Sequence, residues 1–313
     1  MSLLKKSSWA VAFICAGLSS IGLSQETKKD WGLMAPSLFA SHDSDSFDVV
    51  KVGAGLLPVY QSGQDYWGVS ATRNFYSAPN WSAIGSQLSV LKRDVNPQNG
   101  LGYNLNVGVN QIHDGNILTA DLNYSAVLNP STNYEVFFTR DRVETQNSLT
   151  QGIAYNFYGA SLEHRLVPRW TVVGMVGQQQ FTDDNQRTHG RVKLIYDLFP
   201  EQGVNIQLRH RQYHDSHDLT GNYFNPKNYQ EQLLGLGMRK KVSDWQLSGL
   251  IGLGRQKISD DPHTTTRLVE FEGVSPLARQ VFLRAKAGYS ESAGFNGPNY
   301  RYEYFQADLI FGF

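Results

Sequence analysis

The chain has 313 residues and carries 28 basic and 28 acidic side chains, so its formal charge is zero. No basic excess points to nucleic acid and no acidic tail to a disordered segment. Charged residues make up 18% and aromatic residues 12%, beside 29 glycines, which is low in charge for a soluble domain. The mean hydropathy is −0.38 and no later stretch is apolar enough for a membrane helix. A helical membrane protein is excluded, but a barrel is not, because half of each barrel strand faces a polar lumen.

In chain order, residues 1–24 read as a cleaved signal peptide. Lys5 and Lys6 form its positive start, Trp9 to Leu18 its short apolar core, and Gly22 and Ser24 the small residues before Gln25. The core falls short of the roughly 20 residues that a helical span requires. Ile14 before Cys15 is too large for a lipoprotein signal. Cys15 is the only cysteine and leaves with the signal, so thiolate metal sites and cysteine catalysis are excluded. A short periplasmic segment, 25–30, then leads into a barrel over 31–313.

From there the signal has period two. Leu101, Tyr103, Leu105, Val107 and Val109 alternate with Gly102, Asn104, Asn106 and Gly108; Leu118 to Ala126 repeats the pattern. Val192, Leu194, Tyr196 and Leu198 alternate with Arg191, Lys193 and Asp197. Successive strand side chains point to opposite faces, so each segment has one apolar and one polar wall. Sixteen strands are expected: 31–41, 47–60, 64–76, 80–93, 101–112, 117–128, 132–143, 148–165, 168–182, 187–198, 203–214, 227–240, 243–257, 264–272, 279–292 and 299–313. Fourteen is the rival count, because 31–41 and 264–272 are weakly patterned. The fold expected is an all-β, transmembrane, antiparallel up-and-down barrel. A secreted sandwich or propeller is the soluble alternative, with shorter strands.

The connections divide into two sets. Tight turns at 129–131, 167–168, 199–203 and 242–244 suit the periplasmic side. More polar connections at 42–46, 113–116, 183–186 and 259–263, and the long insertion 215–226, suit the extracellular side. Trp170 and Trp245 open strands beside periplasmic turns, where an interfacial aromatic girdle belongs; ordinary sheet-core tryptophan is the other reading. In the last strand Phe305, Ala307, Leu309, Phe311 and Phe313 form an apolar face that ends on an aromatic. Phe311 and Phe313 together resemble the recognition signal of proteins delivered to the outer-membrane assembly machinery.

No phosphate loop, dinucleotide fingerprint or GxSxG elbow occurs, and no cofactor is expected. His210, His214 and His217 lie near Asp215 and Asp218; a solvated loop and a metal site both fit that cluster. An outer-membrane lipid hydrolase would need an outward serine and histidine, and no such pair stands out.

The polar faces are more informative. His189, Arg191 and Lys193 share one strand face, Arg209 and Arg211 the next, Arg284 and Lys286 another, and Tyr300, Tyr302 and Tyr304 the last. Cations turned to lipid would cost roughly 2–4 kcal/mol each near the midplane, so they belong inside. Rings that stack on sugars and cations that bind hydroxyls or carboxylates are what a polysaccharide track needs. A water-filled pore lined by ordinary polar groups remains the plain alternative. Inward acids, Asp121, Asp308 and Glu163, offset the cations.

Tyr223, Phe224, Asn225, Pro226 and Tyr229, in the run Tyr-Phe-Asn-Pro-Lys-Asn-Tyr, form an element that resembles the C-terminal barrels of exopolysaccharide export proteins, the poly-N-acetylglucosamine export porin and cellulose synthase operon C type. Stretches 140–145, 169–174 and 183–187 are similar in style, and the resemblance covers about 130–313. It implies a sixteen-strand barrel in the bacterial outer membrane, in contact with its lipid, that passes a polysaccharide to the cell surface without catalysis. Such barrels follow a periplasmic array of tetratricopeptide helices. Here either a separate helical-repeat protein supplies that scaffold, or the barrel has another job. A general diffusion porin or structural barrel is the alternative, and a lipid hydrolase ranks last.

Overall fold

The computed structural model describes residues 31–112, 115–276, 280–294 and 297–313. The signal peptide and segment 25–30 lie outside the described residues. Sixteen strands are found among them: β1 Gly32–Asp43, β2 Asp48–Ser62, β3 Asp65–Ala78, β4 Trp81–Val95, β5 Gly102–Ile112, β6 Gly115–Asn129, β7 Thr132–Arg142 and β8 Ala154–Val167. They continue with β9 Trp170–Phe181, β10 Gln186–Phe199, β11 Val204–Asp215, β12 Asn228–Val242, β13 Trp245–Ile258, β14 Thr264–Val274, β15 Val281–Gly294 and β16 Gly297–Gly312.

Each strand pairs antiparallel with its sequence neighbours, and β1 pairs with β16 from Gly32↔Gly312 to Asp43↔Tyr302. The sheet therefore closes on itself. Closure leaves no edge of unpaired N–H and C=O groups, the condition for a sheet in hydrocarbon. Both weakly patterned segments are strands, which settles the count at sixteen. The weakness of β1 has a cause: its register shifts between Met34 and Ser37 on both sides, so its alternation changes phase there.

Alternation sorts the two faces. Val52, Leu88, Val109, Val176, Val192, Leu208, Leu234 and Ile251 are exposed on the outside. An apolar exterior so continuous is not the surface of a water-borne monomer. It is the surface of a barrel wall facing lipid. Four tryptophans, Trp31, Trp67, Trp170 and Trp245, stand near the barrel end that also holds Phe313; Trp31 stacks on the Phe313 ring at 4.3 Å.

One segment departs from the strand pattern. Residues 148–153 do not begin a strand. Gln146–Gln151 form a short helix, α1, and β8 starts only at Ala154. The Thr145 side chain caps the helix by accepting from the Ser148 N–H, and Gly152 closes it in the left-handed conformation at φ 72°.

The chain ends and the turns after even-numbered strands share one rim, the terminal mouth. The turns after odd-numbered strands, including α1 and residues 216–227, share the other, the loop mouth.

Candidate functional site

The lumen wall from β7 to β12 carries a row of rings. Phe137 on β7 packs on Phe157 of β8 at 5.0 Å, Phe157 on His189 of β10 at 4.9 Å, His189 on Tyr213 of β11 at 5.5 Å, and Tyr213 stacks on Tyr229 of β12 at 4.8 Å. Strand β9 contributes no ring. It places Gly177 there, and a Cβ at that position would sit 2.8 Å from Phe157, so only glycine lets the row cross the strand. His189 is held by Gln179 at 3.1 Å.

Beside the rings lie the cations. Arg191 stands opposite Arg211, and Lys193 opposite Arg209. Arg211 donates to Glu231 at 2.9 Å and to the Tyr229 hydroxyl at 3.1 Å, and its guanidinium lies over the Tyr229 ring at 5.1 Å. Arg209 donates to Gln207 at 3.0 Å and lies 3.7 Å from Glu270. These four cations share a cavity of about 680 Å³ with Phe137, Phe157, Glu135 and Tyr304. Lys286 lies over the Tyr304 ring at 5.7 Å, and Tyr302 packs on Tyr304 at 6.0 Å. Tyr300 is higher on the wall and donates to Asp43 at 2.9 Å. Arg284 sits apart, near the terminal mouth, 3.7 Å from Glu272. Asp308 accepts from Ser37 at 2.6 Å.

The loop mouth is covered. Leu149 of α1 is buried in a cluster with Phe47, Val49, Tyr76, Ala83 and Ile112, the inward residues of β2 to β5 and their turns. Helix α1 thus reaches over β6 into the lumen. Below it Glu144 pairs with Lys51 of β2 at 2.6 Å and accepts from Tyr76 at 3.3 Å.

Residues 216–227 dock onto α1. Thr145 Oγ donates to the Asn222 carbonyl at 2.5 Å, Ser148 to the same oxygen at 2.9 Å, and Gln151 to the Asn222 side chain at 2.6 Å. Tyr223 stacks on Phe181 at 4.5 Å in a cluster with Ile153, and its hydroxyl donates to Asp183 at 3.0 Å. Burial pushes the Tyr223 phenol up from its ordinary value, so it stays a donor. Asn225 donates to the His217 carbonyl at 3.0 Å, and Arg187 holds the Phe224 carbonyl at 2.5 Å. Pro226 completes the element just before β12. Arg187 also grips the buried Asp215 with Nε at 2.9 and 3.0 Å.

Of the histidine cluster, His214, His217 and Asp218 are exposed, as a solvated loop requires, whereas Asp215 departs from it: it is 1% exposed and ion-paired. Among the described residues no group of three His, Asp or Glu side chains is placed to hold a metal.

The terminal mouth is narrowed differently. Met34, Leu57, Tyr60, Leu91, Val274, Phe282 and Ile310 point inward there and form one apolar cluster. The β2–β3 turn folds in over it, with Gly63 against the Phe282 ring. Gln64 beside it accepts from Arg93 at 2.8 Å and from Arg284 at 3.5 Å.

The sequence-predicted residues thus fall into groups. Arg191, Lys193, Arg209, Arg211 and Tyr304 line one cavity, with His189 in the ring row above it. Lys286 joins them through Tyr304, whereas Tyr300 and Arg284 lie elsewhere. Tyr223 to Pro226 pin the cover, Tyr229 joins the rings, and Phe311 and Phe313 lie at the terminal rim. Phe137, Phe157 and Tyr213 were missed, although each falls on the polar-face parity of its strand. Lys51 and Arg187 likewise fall on the inward parity of β2 and β10, whereas Glu144 lies outside any strand and carries no such signal.

No protein-family model matches the sequence, and no curated protein matches it. Solved structures do. One, described as a bacterial polysaccharide outer membrane secretin, aligns with a TM-score of 0.65 at 11% identity over 92% of this chain and 100% of that one. CdiB from Acinetobacter baumannii aligns at 0.47 and 12% identity over 90% of this chain and 60% of that one. Pseudomonas aeruginosa OccK7 (OpdD) aligns at 0.42 and 10% identity over 91% and 99%. The first likeness places this closed sixteen-strand barrel among outer-membrane barrels in fold.

Proposed function

We propose that the protein is an outer-membrane porin that conducts a secreted polysaccharide from the periplasm to the cell surface. The observation that carries this reading is that Phe137 and Phe157, the first two rings of the row, line one cavity of about 680 Å³ with the cations Arg191, Lys193, Arg209 and Arg211. Phe137 and Phe157 offer ring surface to a sugar in that cavity, and guanidinium and ammonium groups donate to its hydroxyls. A diffusion pore for small solutes needs no such pairing of rings and cations.

The shared fold with a polysaccharide secretin supports the reading by analogy. No side chain is assigned a catalytic step; synthesis behind the barrel would push the chain through. On this reading α1 and residues 216–227 cover the extracellular mouth, and the terminal mouth faces the periplasm, where a separate helical-repeat protein would deliver the polymer. Phe313 would serve delivery to the outer-membrane assembly machinery.

Deleting the gene should abolish surface polysaccharide while its synthesis continues. Normal surface polysaccharide in the deletion strain would overturn the reading.

A further inference from the structure

We propose that the strip formed by Arg191, Lys193, Arg209 and Arg211 is a binding subsite for a carboxylate-bearing sugar, so that the polymer carried is an acidic, uronate-type glycan. This rests on the conduit reading and names its substrate class. Two observations motivate it.

The first is the register. Arg191 faces Arg211 and Lys193 faces Arg209 directly across the β10–β11 ladder. Directly opposed like charges destabilise a sheet, so two such pairs in adjacent rows on one lumenal face are not there for the wall. The second is the shortage of counter-charge within reach. Glu231 pairs with Arg211, and Glu270 lies beside Arg209. Arg191 and Lys193 form no ion pair and no hydrogen bond with any described residue. The carboxylates that act on them, Glu231 on Arg191 and Glu163 and Glu270 on Lys193, do so from beyond ion-pair distance.

Both free cations open into the cavity that Phe137 and Phe157 also line. A ring for the sugar face and a guanidinium for its carboxylate therefore line the same cavity. A planar guanidinium binds a carboxylate through two parallel hydrogen bonds. The acids Glu135 and Glu163 sit on β7 and β8, on the far side of β9, where Met175 and Val173 separate them from the strip. On its β9 side the strip thus has no acid directly beside it, whereas Glu231 and Glu270 stand on its β12–β14 side, and a carboxylate-bearing sugar would sit against Arg191 and Lys193.

Purified full-length barrel in detergent should bind hexagalacturonate by calorimetry at least ten-fold more tightly than maltohexaose, and the difference should shrink as salt is raised. The double variant Arg191→Gln/Lys193→Gln should bind the uronate at least ten-fold more weakly and lose most of the preference for the uronate over maltohexaose. Because it removes opposed charges, it should resist heat on gels at least as well as the parent. Equal binding of both hexasaccharides, unchanged uronate binding by the variant, or a loss of its heat resistance would each overturn the proposal. So would inorganic phosphate binding as tightly as the uronate, since that would leave the rings without a role. Current block in planar bilayers tests the conduit separately. If both hexasaccharides block alike, the conduit stands and the acidic subsite falls; if the uronate binds but no glycan blocks, the conduit falls.

Discussion

The two mouths of the barrel are both narrowed, by opposite means. At the loop mouth the closing groups belong to connecting chain. Helix α1 and residues 216–227 fold in and hold each other through carbonyls and amides, and Glu144 before the helix pairs with Lys51 of β2. At the terminal mouth the closing groups are mostly strand side chains, Leu57, Phe282 and Ile310 among them, packed as an apolar cluster on the barrel ladder itself. Chain that hangs between two strands can swing without breaking a ladder bond. A strand side chain can leave only by changing rotamer, and a packed cluster resists that. From that difference the loop mouth is expected to be the one that opens, and the apolar cluster at the terminal mouth to stay in place.

The comparison breaks most easily at Arg187. It grips Asp215, whose side chain is fully buried, and the Phe224 carbonyl, so it ties β10, β11 and the cover together. Removing one partner of a buried pair strands the other charge and costs about 3–5 kcal/mol. Arg187→Gln should lower the unfolding temperature in detergent and expose the bond after Lys227 to trypsin. A variant that unfolds at the parental temperature and resists trypsin would mean that the cover is held elsewhere.

Leu149 tests the helix alone. It is 3% exposed among Phe47, Val49 and Tyr76. Leu149→Ala forfeits the packing of one buried leucine, about 2–5 kcal/mol, which is enough to undock a helix of six residues. Single-channel conductance in planar bilayers should rise several-fold. If it does not change, the ion path avoids α1 and the loop mouth is not the gate.

How far the sequence foretold this molecule depends on the range of the interaction. The strands were legible because their cause is local: each residue's neighbour faces the other way. The turns were legible for the same reason, as in Asn129-Pro130-Ser131. Helix α1 was not, because Ser148-Leu149-Thr150 alternates like a strand, and its marks, the Thr145 cap and Gly152, speak only as a pair. The lumenal position of Arg191 and Lys193 follows from parity with Val192. The cover does not, because Asn222 meets Ser148 across 74 positions of chain, and no spacing rule in a single sequence reaches that far. For the element Tyr223 to Tyr229 the residues stood out, but not their division of labour, with Tyr223 and Asn225 pinning the cover and Tyr229 turning into the lumen.

The smallest effect is expected at the terminal mouth, and it decides which mouth moves. A Cβ at Gly63 would fall within the Phe282 ring, and Phe282 is 2% exposed with no open side to yield into. Gly63→Val should therefore overpack the cluster and lower stability by about 1–3 kcal/mol, read as a lower temperature for the gel-mobility change. Phe282→Ala in the Gly63→Val background should recover part of that loss, because the two residues touch and their effects do not add. Conductance is the sharper readout. If the apolar cluster is a fixed part of the wall, Gly63→Val weakens the barrel and leaves its conductance as it was. A rise in conductance would show instead that the β2–β3 turn had swung out, and would move the gate from the loop mouth to the terminal one.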